Sequence, residues 1–222
     1  MTTATRERII GEPVDRVDGP PKVTGAALYP SDFTFPDLTH AVLVQSTIAA
    51  GSIKGIDAAQ AEAAPGVLAV ITHENAPALV AGPTARFDPS PTSPPLKDDR
   101  ILHRGQHVAV VVARTREHAR AAARLVEIDY EEAAPVLRIE DSRAPVVPDP
   151  WGQDIDRGDV AAAVASAEVA YDEVFTTAAV TNNPMGLFAT VARWDGDRLT
   201  VHDTTQDPMS TRRSLAAAFE LP

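Results

Sequence analysis

Residues 107–132 have the sequence HVAVVVARTREHARAAARLVEIDYEE, which predicts a strand, a helix and a second strand in close succession. His107 to Ala113 is a continuous, largely β-branched run, as is typical of a fully buried strand. Thr115 is a favourable N-cap for an Ala-rich helix that we expect to end near Leu125. Val126 to Tyr130 then alternates between apolar and polar residues, which predicts a half-buried strand.

The same order of elements is predicted earlier in the chain. Ala41 to Val44 is expected to form a strand, and Asp57 offers an N-cap to a short helix with the sequence DAAQAEAA, which the following Pro-Gly ends. A strand over Val67 to Thr72 follows directly. A proline-rich surface loop over 82–95 separates the two strand–helix–strand units. Together they predict a compact α/β domain over residues 20–133.

The segments that flank this domain are predicted to be irregular. Residues 1–19 form an N-terminal arm, and the Gly- and Pro-rich stretch from Val17 to Tyr29 predicts a loop that leads into an extended segment. Residues 134–158 are rich in Pro and Asp with little periodicity, which predicts a linker and a domain boundary.

Residues 159–222 are predicted to be a second, β-rich unit with a thin core. Asp159 caps a short helix, and Glu168 to Ala178 alternates like a strand. Asp195-Gly196-Asp197 separates two strand-like runs, which is a strong hairpin signal. A final helix is expected to begin at Asp207-Pro208.

Composition excludes several classes of function. The 222 residues include 20 Lys and Arg against 31 Asp and Glu, a net charge of −11, so nucleic acid and anionic membranes are not expected partners. The absence of Cys excludes disulfides, a thiolate nucleophile and a protein-ligated iron–sulfur cluster in this chain. Neither a secretory signal nor a bilayer-spanning run is found, so a cytoplasmic protein is expected.

No residue pattern by itself reveals chemistry. His103 and His107 have the i, i+4 spacing of helical metal ligands, but Gly105 lies between them and a strand follows, so we interpret them as polar residues at a loop-to-strand junction. The acidic residues around Gly158 lack the order of a calcium loop and are interpreted as a turn and helix cap. Arg212 and Arg213 are interpreted as part of a solvated helix face.

Six short segments, taken in order, resemble the xanthine dehydrogenase/aldehyde oxidase family, specifically the start of its molybdopterin-binding large subunit. They cover nearly the whole chain. They are RVDGPPKVTGAALY (16–29), SDFTFPDLTHAVLVQS (31–46), IDAAQAEAAPGVLAVIT (56–72), RGQHVAVVVARTREHARAAARLVEIDYEE (104–132), GDVAAAVASAE (158–168) and NNPMGLFATVARWDGDRLTVHDTTQ (182–206).

The resemblance implies that residues 20–133 form the α/β hammerhead domain and that 159–222 begin a molybdopterin-binding domain that is incomplete here. It also implies a hydroxylase that acts on an aldehyde or N-heterocycle with water at a molybdenum–molybdopterin cofactor. Electrons would then pass to 2Fe-2S clusters and FAD on partner domains or subunits, which is consistent with zero Cys.

The resemblance also carries expectations for the site. The family's Gly-rich cofactor loop and its catalytic Glu would fall beyond Pro222, so no catalytic residue is expected in this chain and it should be inactive alone. Gln206, in the family's Thr-Gln turn, is the candidate cofactor-binding residue. Val180 stands where some members have a cofactor-contacting Gln, and Gly186 stands where many have Glu after Asn-Pro-Met.

Three hypotheses stay open at this point. The chain is either a molybdenum hydroxylase large subunit or its N-terminal fragment, or a non-catalytic structural or assembly subunit that packs against a separate cofactor-bearing chain. A split subunit should expose the apolar face of the Met209/Phe219 helix and an unpaired hairpin edge. A small-molecule binding module on a similar domain is the third reading.

Overall fold

A computed structural model describes residues 11, 13–79, 94–143, 157–178, 180–181, 183 and 188–221. Short 3₁₀ turns lie at Pro30–Asp32 and Ile139–Asp141. The strands are β1 (His40–Gln45), β2 (Gly51–Asp57), β3 (Val67–Thr72), β4 (Arg100–Ile101), β5 (His107–Ala113), β6 (Glu127–Glu132), β7 (Thr190–Asp195) and β8 (Arg198–Asp203). The helices are α1 (Gly19–Thr24), α2 (Ala59–Glu62), α3 (Arg116–Ala123), α4 (Val160–Ser166) and α5 (Pro208–Ala218).

Strand β5 is the centre of the first sheet, whose order is β1-β5-β3. Both neighbours run antiparallel to it, and Val111 lies opposite Val42 on one side and Val70 on the other. A second antiparallel sheet has the order β4-β2-β6, so the strands before and after α3 belong to different sheets. The predicted mixture of helix and sheet is confirmed, and its strands pair antiparallel.

Two apolar clusters lie on the opposite faces of β5. Val111 packs with Ala61 of α2 and Ala122 of α3, whereas Val108 packs with Ile53 and Ile101 of the second sheet. Because side chains alternate along a strand, residues 108 and 111 point to opposite faces. The continuous apolar run that predicted a buried strand therefore has a physical cause: each face of β5 is covered by its own core.

Helix α3 is confirmed, and so is its predicted start. The Thr115 hydroxyl accepts a hydrogen bond from the His118 backbone N–H at 3.2 Å, and Ala119 and Ala122 are buried. The predicted strands at 41–44 and 67–72 are also present, as β1 and β3.

The structure differs from the predicted local structure in three places. The run from Val17 to Tyr29 contains helix α1, which ends at Gly25 in the left-handed conformation, where a loop was expected. Strand β2 was missed. Its last residue is Asp57, whose carboxylate accepts a hydrogen bond from the Ala59 backbone N–H at 3.0 Å, so the predicted contact of Asp57 with the start of α2 is present although the helix begins at Ala59. Residues 168–178 form no strand. Most of the predicted loop over 82–95 and much of the linker over 134–158 lie outside the described residues.

The chain forms two compact units. One contains residues 1–36 and 183–205, and the other contains 37–182 and 206–222. In the first unit the predicted hairpin is formed by β7 and β8, with Gly196 in its turn at φ 62°. The His202 ring stacks on Phe33 with centroids 3.7 Å apart.

The described residues include no helix that is long and apolar enough to cross a bilayer.

Gly51 and Gly55 make a matched test of the second sheet. At Gly51, φ is 141° and an added Cβ would lie 2.0 Å from the Glu131 carbonyl oxygen, whereas at Gly55 nothing lies within 4 Å. We expect Gly51→Ala to lower the free energy of unfolding by more than about 2 kcal/mol, because the clash is with backbone. Gly55→Ala should change it by less than about 1 kcal/mol, measured by urea denaturation. Equal effects of the two substitutions would contradict the described register of β2 and β6.

Candidate functional site

The turn between β8 and α5 contains Gln206, the residue that the resemblance marks for cofactor binding. Gln206 is exposed, and its side chain makes no hydrogen bond to another described residue. A carboxamide offers both donors and acceptors, so Gln206 has its full hydrogen-bonding capacity available for a ligand.

Asp207 fixes the start of α5 directly after Gln206. One carboxylate oxygen accepts hydrogen bonds from the Met209 and Ser210 backbone N–H groups, each at 3.1 Å, and the Ser210 hydroxyl donates to the other oxygen at 2.6 Å. The Ser210 side chain contributes most to lowering the pKa of Asp207 below its ordinary value of 3.8, and the charge of Arg213 contributes least. Helix α5 thus begins with a well-formed cap directly after Gln206, as the Asp-Pro sequence predicted.

Arg212 and Arg213 are exposed in the middle of α5. They are the cations nearest in sequence to Gln206, and their side chains are long enough to contact an anionic group beside the helix. The structure agrees with their placement on a solvated face.

The other family-derived positions precede the hairpin. Val180 is 86% exposed, and Asn183 has a positive φ of 34°. The rest of the Asn-Pro-Met-Gly segment, including Gly186, lies outside the described residues. An exposed valine offers no side-chain hydrogen bond where the relatives' Gln was expected.

A cleft of about 410 Å³ lies in the compact unit that contains residues 37–182 and 206–222, and it was not predicted from the sequence. His73, His103 and His107 line it together with Lys97 and Arg100. The clustering of cationic and imidazole side chains between positions 97 and 107 was the sequence signal that could have found it. The carboxylate of Asp98 receives hydrogen bonds from Arg100, which lower the pKa of Asp98.

The histidines of this cleft do not form a metal centre. His103 Nδ1 lies 3.1 Å from the carbonyl oxygen of its neighbour Arg104. Within the described part of the chain, no three His, Asp or Glu side chains come close enough together to hold a metal ion. Asp159, of the acidic group near Gly158, caps α4 by accepting from the Ala162 N–H at 2.9 Å, and Asp154 and Asp156 lie outside the described residues.

Comparison with known families gives the context of these residues. A sequence profile for the aldehyde oxidase and xanthine dehydrogenase a/b hammerhead domain matches residues 24–134, and a molybdopterin cofactor-binding domain profile matches residues 143–222. The chain belongs to the xanthine dehydrogenase/aldehyde oxidase family, and it corresponds to the N-terminal part of a molybdenum-binding subunit.

Individual relatives agree with this assignment. The aldehyde oxidoreductase molybdenum-binding subunit PaoC of Escherichia coli is 37% identical over 97% of this chain, which covers 29% of that protein. The nicotinate dehydrogenase large molybdopterin subunit of Eubacterium barkeri is 28% identical over 97% of the chain, which covers 52% of it. The crystal structure of quinoline 2-oxidoreductase from Pseudomonas putida matches 94% of the chain with a TM-score of 0.78 and 26% identity, over 28% of its own length.

Gln206 and the two arginines of α5 have side chains that are chemically suited to binding a polar cofactor. Gln206 offers an exposed carboxamide without a described partner, and the two arginines of α5 offer positive charge. A neutral amide suits the edge of a pterin-type ring, and guanidinium groups suit its phosphate.

The capping contacts of Asp207 give a test that does not depend on any ligand. In Ser210→Ala the pKa of Asp207 should rise towards 3.8, because the largest cause of its depression is removed, and Arg213→Ala should raise it less. The pKa of Asp207 is lower in the folded protein than its ordinary value of 3.8. The ionised cap therefore stabilises α5 at pH values above 3.8, and this contribution is lost as the pH falls through the pKa of the folded protein. Side-chain carboxyl NMR titration measures both variants. A larger rise of the Asp207 pKa in Arg213→Ala than in Ser210→Ala would contradict the dominant contribution of the Ser210 hydrogen bond.

Proposed function

We propose that this chain is the N-terminal part of the molybdenum-binding large subunit of a molybdenum hydroxylase. The substrate class is an aldehyde or an aromatic N-heterocycle, hydroxylated with oxygen from water. The observation that carries the proposal is the order of the two matched domains, hammerhead and then cofactor-binding, over residues 24–134 and 143–222. The names of the relatives, which include an aldehyde oxidoreductase and quinoline 2-oxidoreductase, support the substrate class.

The role of this chain is to orient the cofactor and to build the scaffold beside it. The molybdenum–molybdopterin cofactor, when bound, supplies the two-electron oxidation of the substrate. Gln206 would donate and accept hydrogen bonds at the polar edge of the cofactor, in a position fixed by the Asp207 cap of α5. The cap fixes the backbone directly after Gln206, so binding would have to order only the side-chain rotamers of this residue.

Electron transfer requires partners, because the chain has no Cys to ligate a cluster. We propose iron–sulfur and FAD-binding subunits of one cytoplasmic complex, together with the polypeptide that completes the molybdenum-binding subunit. CO dehydrogenase of Oligotropha carboxidovorans, matched over 96% of this chain with a TM-score of 0.74, is a solved structure of the same fold.

The molybdenum content of the purified assembly tests this function. The chain is purified from its own cells, each co-purifying polypeptide is identified by mass, and molybdenum is measured per chain. Stoichiometric molybdenum, together with oxidation of an aldehyde or N-heterocycle, supports a hydroxylase. An assembly that contains partner chains without molybdenum supports the non-catalytic structural subunit.

Gln206→Ala tests the residue assignment in that assembly. We expect the molybdenum content to fall about tenfold, because outer contacts of a cofactor site contribute affinity of this order. Gln60→Ala is the matched control, since Gln60 is an exposed glutamine on α2, in the other matched domain. Unchanged molybdenum content in Gln206→Ala would remove this residue from the site.

A further inference from the structure

The cleft of about 410 Å³ in the hammerhead domain combines apolar and cationic side chains. Its volume is within the range of small-molecule sites, roughly 300 to 1,000 Å³, and near the lower end of it. Pro95, Leu96 and Leu102 are part of the apolar lining, and Lys97 and Arg100 are the cations. A cleft of this size and lining suits a small molecule that has an apolar body and a polar head group.

The loop between β4 and β5, which forms much of the cleft wall, is braced by its own hydrogen bonds. The Gln106 side chain donates to the Arg100 carbonyl oxygen at 2.6 Å and accepts from the Leu102 backbone N–H at 2.8 Å. The Gly105 N–H donates to the Ser46 carbonyl oxygen at 3.0 Å. Because the loop is already held in place, a ligand would not have to order it on binding, which favours affinity.

One side-chain atom of the cleft lining lacks the hydrogen bond that its burial requires. His73 Nδ1 is buried, and it has no hydrogen-bond partner within the described part of the chain. Buried polar side-chain atoms are in the large majority bonded to protein, to ordered water or to a ligand. Since His73 lines the cleft, a molecule bound there can provide the missing partner.

The charges of the described lining favour a ligand with a single negative charge. Lys97 and Arg100 are positive and Asp98 is negative, which leaves one net positive charge when the imidazoles are neutral, and Asp99 does not line the cleft. A carboxylate carries one negative charge, whereas a phosphate group carries about −1.5 to −2 at pH 7. Charge complementarity therefore favours a carboxylate as the head group.

The hydrogen bonds within the cleft indicate which side chains are available to that carboxylate. Arg100 is already engaged, since its Nη2 and Nε donate to one oxygen of Asp98 at 2.8 and 3.1 Å. In neutral His103, the proton is expected on Nδ1, which lies 3.1 Å from the Arg104 carbonyl oxygen, so this N–H is not free for a ligand. The Lys97 ammonium makes no hydrogen bond to another described residue and keeps its donors available.

We propose that this cleft is a binding site for a small organic monocarboxylate with an apolar body. The Lys97 ammonium and the His73 imidazole donate hydrogen bonds to the carboxylate. The apolar body packs against Pro95, Leu96 and Leu102. This inference goes beyond the proposed function, which assigns no ligand to the hammerhead domain.

Titration of the full 222-residue chain with benzoate and with hexanoate tests the site. Isothermal titration calorimetry should show saturable binding of one carboxylate per chain. Benzamide, which has the ring of benzoate without its charge, should bind about tenfold more weakly because the charge-assisted hydrogen bonds are lost. Inorganic phosphate should not displace benzoate at equal concentration. Absence of saturable binding by both carboxylates would overturn the proposal, as would phosphate binding as tightly as benzoate.

Substitutions locate the bound carboxylate. Lys97→Met keeps an unbranched side chain without its charge, and it should weaken benzoate binding about tenfold. Lys54→Met is the matched control, since Lys54 is exposed on β2 and does not line the cleft, and it should bind as the wild type does. Equal losses in the two variants, or full binding by Lys97→Met, would overturn the assignment.

The role of His73 is tested in the unsubstituted chain, so the result does not depend on whether a variant folds. The imidazole NMR signals of His73 should shift as benzoate saturates the site, because its ring gains a hydrogen-bond partner. The signals of His118, which does not line the cleft, should stay unchanged. Benzoate binding without a shift of the His73 signals would contradict the proposed contact.

The carboxylate site and the proposed function can fail separately, because the titration requires neither molybdenum nor turnover. A chain that binds benzoate through Lys97, in an assembly without molybdenum, would contradict the proposed function and leave the carboxylate site intact. A molybdenum-containing assembly whose cleft binds neither carboxylate would have the opposite meaning.

Discussion

The fold depends on the burial of β5 on both faces. Val111 on one face and Val108 on the other connect two separate apolar clusters, and β1 and β3 hydrogen-bond to the two edges of the same strand. Burying apolar side chains on both faces is favourable only if every backbone polar group of the strand is also paired. The two antiparallel neighbours provide that pairing, so the sheet order and the two-core arrangement are consequences of a single strand.

Much of this domain could be predicted because its signals are local. The run at 107–113 and the Thr115 cap act within a few residues, and both were predicted correctly. Strand β2 was not, because Gly51, Lys54 and Gly55 interrupt the pattern and its pairing with β6 lies more than 70 residues away. Gly51 is there to let the Glu131 carbonyl approach closely, and a close approach of backbone leaves no periodic trace in sequence.

The site was less predictable than the fold. The Asp-Pro signal correctly located the start of α5. Nothing in the spacing of Gln206 indicates a cofactor, and the role that we propose for it rests on the family resemblance alone. The cleft with His73, Lys97 and Arg100 was missed although most of its lining lies between residues 94 and 108, because a local cluster of cationic and imidazole side chains does not by itself indicate a cavity. At residues 168–178 the alternating pattern predicted a strand, but the structure has none there, because a strand forms only where a neighbouring edge pairs with it and a local pattern does not provide that edge.

The stacking of His202 on Phe33 has a consequence for how the protein is made. The ring of Phe33 leaves the ribosome about 170 residues before its partner, which at 5–20 residues per second is a delay of roughly 8 to 34 s. During that interval Phe33 and Phe35 have no hairpin to pack against, while the two sheets encoded between them and the hairpin are already synthesised. The nascent chain thus presents Phe33 and Phe35 to chaperones for seconds, and synonymous codons that slow translation before residue 202 would lengthen that exposure without changing a single side chain.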